Sequence, residues 1–222
     1  MSTIYDHTMP KYELRRLGSN SGRFNGAYYY SIEIVNNIIP RVKTSRPWVT
    51  VNQVGMAEDN AIVFVHNNKT PGRYDWLKPY KNLILVCGIP ETVEKVAHLG
   101  KAVYLPISVD VEDVERYRVD TKDKDICYAG RPNKRHGAGL YADEVDLLEN
   151  MPREELLTKL AHYKKAYAVG RCAIEAKILG CKILPYDKRF PDPSRWKIFD
   201  NKDAAVELQK MLDSIDGCKN HE

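Results

Sequence analysis

"NLILVCGIPETVEKVAHLGKAVYLP", residues Asn82 to Pro106, is the stretch on which the fold turns. It opens on an unbroken apolar run, Leu83 to Cys87. A strand with one face in water alternates apolar and polar residues. A run that is apolar on both sides of the pleat belongs to a strand covered on both faces, as in a parallel sheet. Pro90 then stands where a helix accepts proline, and Gly100 where a helix ends, which predicts a helix between them. "AVYLP" (Ala102–Pro106) reads as the next strand. Strand, helix, strand in this order predicts an α/β layer structure.

Working outward, "AIVFV" within "AIVFVHNN" (Ala61–Asn68) is a second continuous apolar run, and "WVTVNQV" (Trp48–Val54) is a further strand candidate. Before them, Tyr28, Ile32, Val35 and Ile38 fall at helical spacing within Ala27–Ile39, and Pro40 ends that helix. "YELRRLGS" (Tyr12–Ser19) is read as a first strand. The charged stretch "VDTKDKD" (Val119–Asp125) is the predicted linker. After it the alternation restarts with strand "ICYAG", the basic loop "RPNKRHGAG", a helix over Pro152–Lys164 and strand "AYAVG". The helix in "GRCAIEAKILG", strand "KILPYD" and a terminal helix over Asp203–Ile215 complete it. The expectation is α/β: two Rossmann-like domains with parallel sheets, over residues 1–119 and 120–222.

The chain has 222 residues, enough for two small domains, since most domains hold about 100–150. Its 34 basic and 30 acidic residues give a net charge of +4, a mild preference for anions and far from a nucleic-acid footprint. No run approaches the roughly 18 apolar residues that cross a membrane, and the first residues lack the apolar core of a secretion signal. The five cysteines are odd in number and never spaced Cys-x-x-Cys. Three stand in apolar segments, where cysteine packs as a small core residue. A reducing, cytoplasmic location is the expectation. No metal-ligand cluster is read. The acids of "SVDVEDVERYR" have the helical spacing of a solvated face.

Ligands of open parallel sheets bind beyond the carboxyl ends of the strands, so the residues placed there are the candidates. "SGRFNGAYYY" is a loop in which Gly26 would let backbone N–H groups approach a phosphate, or is a plain turn. "VFVHNN" puts His66 at a strand end, as a base or hydroxyl ligand, or as a core histidine. "YAGRPNKRH" carries Arg131, Lys134 and Arg135, a basic surface loop or a clamp for a diphosphate. "GRCAIEAKILG" carries Gly170, Arg171 and Glu175. Glu175 lies within a turn or so of the predicted helix start, where the macrodipole favours a carboxylate in any case. Its other reading is an acceptor for the two hydroxyls of a ribose.

In order, these pieces resemble a glycosyltransferase of the GT-B fold, the retaining, nucleotide-sugar-dependent kind related to glycogen synthase and sucrose synthase. "GRFNGAYYYSIEIV" is similar to the family's Gly-rich loop and first helix, and "VFVHNN" to its strand ending in histidine. "LILVCGIPETVEKVAHLGKAVYLPISVD" is similar to the segment closing its first domain, with Val109-Asp110 at the end of the match. "YAGR" resembles the opening of its second domain, and "AIEAKILGCKIL" its glutamate-bearing helix and following strand. The resemblance spans Gly22 to Ile215. It implies a nucleotide sugar, with a UDP-sugar the first choice, in a cleft between two domains, and no metal or other cofactor. It implies that Arg131, with Lys134 or Arg135, neutralises the diphosphate, that Gly26, Gly170 and Arg171 help bind the donor, that Glu175 holds the ribose and that His66 holds the transferred sugar. Tyr167 stands where the family has the first of two glutamates, and a chain that binds a nucleotide or glycan without turnover is the alternative. The acceptor is left open between a glycan, a lipid-linked glycan and a modified DNA base. Lys11, Arg15, Arg16 and Arg23, with Lys43, Arg46 and Trp48, would suit an anionic polymer or a membrane surface, or a solvated face.

Overall fold

The structure, a computed structural model, describes residues 30, 33–50, 57–65, 74–130, 145–149 and 151–217. It is α/β, with two four-stranded parallel sheets of Rossmann-like type. The described chain divides into two compact units. The first holds residues 33–107 and 202–217, and the second holds residues 108–201 with Tyr30.

In the first unit the strands run in chain order: β1 (Trp48–Thr50), β2 (Ile62–Val65), β3 (Ile84–Cys87) and β4 (Lys101–Tyr104). Every residue of β2 and β3 is buried, as the unbroken apolar runs require. Val63, Val65, Leu85 and Cys87 belong to one core with Leu77, Val96 and Leu99. Trp48 stacks on Phe64, ring centroids 5.8 Å apart. Helix α1 (Pro90–Val96) starts at Pro90 as predicted and is prolonged by a 3-10 turn, Ala97–Leu99, that ends before Gly100. The predicted helix over Ala27–Ile39 is wound differently in its described end. Ile34–Ile38 form a π-helical turn and Ile39–Arg41 a 3-10 turn, with Pro40 inside it.

In the second unit α2 (Val111–Glu115) precedes β5 (Lys124–Gly130), β6 (Asp146–Glu149), α3 (Arg153–Leu160), β7 (Tyr163–Tyr167), α4 (Arg171–Ile178) and β8 (Lys182–Leu184). The strand order is β6-β5-β7-β8, all parallel. β6 was not predicted. Its sequence, Asp-Leu-Leu-Glu, has acids at both ends and no apolar run. The predicted strand "AYAVG" is shifted towards its amino end, because the sheet takes Tyr163 and pairs it with Lys124, while Gly170 ends the extended chain. The helix before it accordingly stops at Leu160 rather than Lys164.

Helix α5 (Asn201–Gly217) buries Ala204, Ala205, Leu208 and Leu212 along one stripe. From residue 202 on it belongs to the first unit. Gln209 there exchanges two hydrogen bonds with the backbone of Lys43, and Asp216 pairs with buried Arg46 at 2.6 Å.

Candidate functional site

The strand order of the second unit reverses direction once. From β5 the chain moves out to β6 on one side, then crosses to β7 on the other. In an open parallel sheet the loops from two such neighbouring strands diverge to opposite faces, which leaves a crevice at their carboxyl ends. β5 ends at Gly130 and β7 at Tyr167, with Tyr128 and Tyr167 in register. In the first unit the order of the described strands runs β1 to β4 without a reversal.

From β7 the chain enters α4 through Gly170, whose φ of 63° and ψ of −136° suit glycine and strain any residue with a Cβ. A Cβ placed there would meet no atom within 4 Å, so torsion and not crowding sets the requirement. Gly130, at the end of β5, answers to crowding instead. A Cβ on it would stand 2.7 Å from the hydroxyl of Tyr128. The first N–H groups of α4 have no partner within the helix and point along its axis towards this end of the sheet. Carbonyl Gly170 accepts from Ala173 and Ile174, which starts the helix at Arg171.

Glu175 is therefore in the second turn of α4, not the first, and its burial at 2% exposure cannot be credited to the helix start. Two guanidinium groups hold it. Arg171, one turn earlier, donates Nε–H to Oε1 at 2.8 Å, and Arg153, at the start of α3, donates Nε–H to the same oxygen at 3.1 Å. Oε2 carries neither bond. Arg153 extends further, donating from Nη1 to Oδ2 of Asp113 in α2 at 2.6 Å. Arg116, just past the end of α2, also pairs with Asp113. Burial and the nearby Arg171 oppose the charge on Arg153, but Glu175 and Asp113 outweigh them and raise its pKa. Burial likewise opposes ionisation of Asp113, yet Arg153 and Arg116 hold its carboxyl below the ordinary 3.8.

The arrangement is a chain of alternating charges, Asp113–Arg153–Glu175–Arg171, that ties together three helices of one unit. Asp113 corrects the expectation of a solvated acidic face. Arg153 and Asp113 were missed from the sequence. The available signal was a cation at the first position of a helix, where the dipole disfavours it and a carboxylate must compensate.

On the same end of the sheet, Tyr128 and Tyr167 each meet Tyr186 edge-on, at centroid distances of 5.5 and 6.2 Å. Burial, reinforced by Tyr128, pushes the Tyr186 hydroxyl up from its ordinary range. Tyr167 thus ends β7 in an aromatic cluster.

Of the predicted site residues, the structure brings Gly170, Arg171 and Glu175 together at one helix. Gly26, His66, Arg131, Lys134 and Arg135 lie outside the described residues. Arg131 directly follows β5, and His66 directly follows β2. Among the described residues there is no group of three or more histidine, cysteine, aspartate or glutamate side chains able to hold a metal, and no helix is long and apolar enough to cross a membrane. The chain matches no protein-family model, no curated protein and no solved structure.

Proposed function

We propose that this protein is a nucleotide-sugar-dependent glycosyltransferase of the GT-B class, with the donor, a UDP-sugar first, bound by the second unit. One observation carries the reading. Arg131, Lys134 and Arg135 follow β5 in sequence, and Gly170 and α4, with Arg171 and Glu175, follow β7, the two neighbouring strands at which the strand order reverses. That is where an open parallel sheet offers a ligand crevice.

In this reading the donor diphosphate lies at the amino end of α4, near the first backbone N–H groups after the Gly170 turn. Arg131, with Lys134 or Arg135, neutralises it from the loop after β5. Glu175, fixed by two guanidinium groups, accepts hydrogen bonds from the ribose hydroxyls through Oε2. Transfer breaks the bond between the sugar's anomeric carbon and the diphosphate oxygen, which keeps the electron pair, while the acceptor bonds to that carbon and its proton passes to the departing diphosphate. Cations fixed at the diphosphate stabilise this developing charge more than they stabilise the bound donor. The resemblance assigns His66 to the transferred sugar and Gly26 to the phosphates. No divalent cation is required when these side chains carry the charge. The acceptor is a glycan, a lipid-linked glycan or a modified DNA base. Binding of DNA would fall steeply with salt.

Calorimetric titration of UDP, followed by hydrolysis assays over a panel of nucleotide sugars, tests the proposal. The wild type binds UDP and slowly releases sugar to water. Glu175→Ala weakens UDP binding by roughly 1.5–3 kcal/mol, the range of hydrogen bonds to a charged acceptor. Arg131→Ala slows turnover by about 2–4 kcal/mol of barrier, by analogy with an oxyanion donor. Absence of nucleotide binding overturns the reading, and unchanged affinity in the Glu175 variant overturns the ribose assignment. A binder without turnover is the second reading, favoured by Tyr167 in its aromatic cluster. UDP affinity with no release of sugar from any donor would select it.

A further inference from the structure

The charge chain across α2, α3 and α4 has a feature that a purely structural staple does not need. Both guanidinium bonds to Glu175 fall on Oε1, from Arg171 within its own helix and from Arg153 on another. An arginine four residues away on the same helix restrains a glutamate loosely, because both side chains can swing about the helix together. A second guanidinium on a different element removes that freedom. Arg153 is itself anchored at its far end, where Nη1 donates to Asp113 at 2.6 Å. Its side chain is 15% exposed and that of Glu175 2%, so solvent screens this linkage little. Burial is adverse to each of these charges alone, and the pairing offsets it only when geometry is kept.

We infer that Arg153 is a positioning residue for the nucleoside: anchored on Asp113, it fixes the carboxylate of Glu175 so that Oε2 is set towards the ribose hydroxyls. The inference rests on the donor site proposed above. It adds that recognition of ribose, as opposed to deoxyribose, depends on a side chain that does not touch the ligand. A hydrogen-bond acceptor discriminates a hydroxyl from a hydrogen only when it cannot relax away from the missing group.

The test titrates the full-length protein with UDP, 2′-deoxyuridine diphosphate and UMP, in the wild type, Arg153→Met and Asp113→Asn. Far-UV circular dichroism and thermal melting accompany each titration. The wild type prefers UDP to the deoxy compound by about tenfold or more, the effect of roughly 1.4 kcal/mol. In Arg153→Met that preference falls to within about twofold, while the preference for UDP over UMP, which reads the phosphate contacts, is unchanged. Asp113→Asn leaves the Arg153–Glu175 pair in place but frees its anchor, and gives an intermediate preference. It keeps the inference testable if Arg153→Met does not fold. An intact ribose preference in Arg153→Met overturns the inference, and so does one in Asp113→Asn if that is the only folded variant. An equal loss of affinity for all three nucleotides also overturns it, since that is what a general structural defect produces. A wild type that binds none of them overturns the donor site itself, and the positioning role with it. A wild type that binds UDP without ribose preference overturns the roles of Glu175 and Arg153 alone.

Discussion

Asp113 makes the second unit sensitive to acid. Its folded-state pKa is depressed, so the unfolded chain binds its proton at a higher pH than the folded one. The stability it contributes is complete above the ordinary carboxylate value of 3.8 and is lost as pH falls through the lower, folded value. Asp113→Asn should therefore cost about 1.5 kcal/mol at neutral pH, the lower range for hydrogen bonds to charged groups. The gap to the wild type should close below pH 4. Urea midpoints at pH 7, 4 and 3 read this directly, and a gap that does not change with pH sinks it. At this scale the sequence was half legible. A carboxylate in an apolar helix, Glu175, announces a partner, and Arg171 one turn away is visible as one. Arg153 is not, because it lies 22 residues earlier and meets Glu175 only once α3 and α4 are packed.

Among the elements, the central strands were legible because burial on both faces leaves an unmistakable apolar run, as in β2 and β3. β6 was not, since a short strand at a sheet edge needs only its neighbour's backbone and can carry Asp146 and Glu149 at its ends. The start of β7 was hidden for a related reason. Tyr163 is buried, with its hydroxyl donating to Asp146 at 2.5 Å, and that tertiary bond outweighs the helical spacing leading up to it. The elements also set thiol chemistry. Cys87 in β3 is enclosed, and burial pushes its pKa up to about 12. Burial likewise raises Cys127 in β5 and Cys181 before β8. Cys172, half-buried in the first turn of α4, is the accessible one of the four described. Iodoacetamide labelling of the native protein at pH 8, read by mass spectrometry, should mark Cys172 well before the other three. UDP at the amino end of α4 should slow that labelling. Labelling of Cys172 at the same rate with and without nucleotide would move the donor away from this helix.

Over the whole molecule, the α/β class and the two parallel sheets were legible in the alternation of strand and helix. The course of the last helix was not, because an amphipathic stripe such as Ala204, Ala205, Leu208 and Leu212 says that a face is buried without saying against what. What fixes α5 to the first unit is tertiary. Buried Arg46 donates to Asp216 and to the carbonyls of Asn60 and Asn82, at 3.0 and 3.2 Å. Both asparagines have positive φ, at the turns leading into β2 and β3. Arg46→Met would remove the donor to both carbonyls and to Asp216, at about 1–3 kcal/mol in all, the range of hydrogen bonds to and from charged groups. A denaturation midpoint shifted by no more than the roughly 0.5 kcal/mol usual for surface substitutions would refute that role.

The division of the chain has a consequence for its synthesis. Residues 33–107 are made first, yet the unit they build also needs residues 202–217, and residues 108–201 lie between. Domains usually fold in the order in which the ribosome delivers them. Here the first unit to be started cannot be the first to be finished. Its β-sheet must wait, with the site for α5 uncovered, while the second unit is translated, so a nascent chain halted near residue 200 should present apolar surface to chaperones that the finished protein hides. Slowing translation across residues 108–201 would lengthen that exposure without changing a single residue.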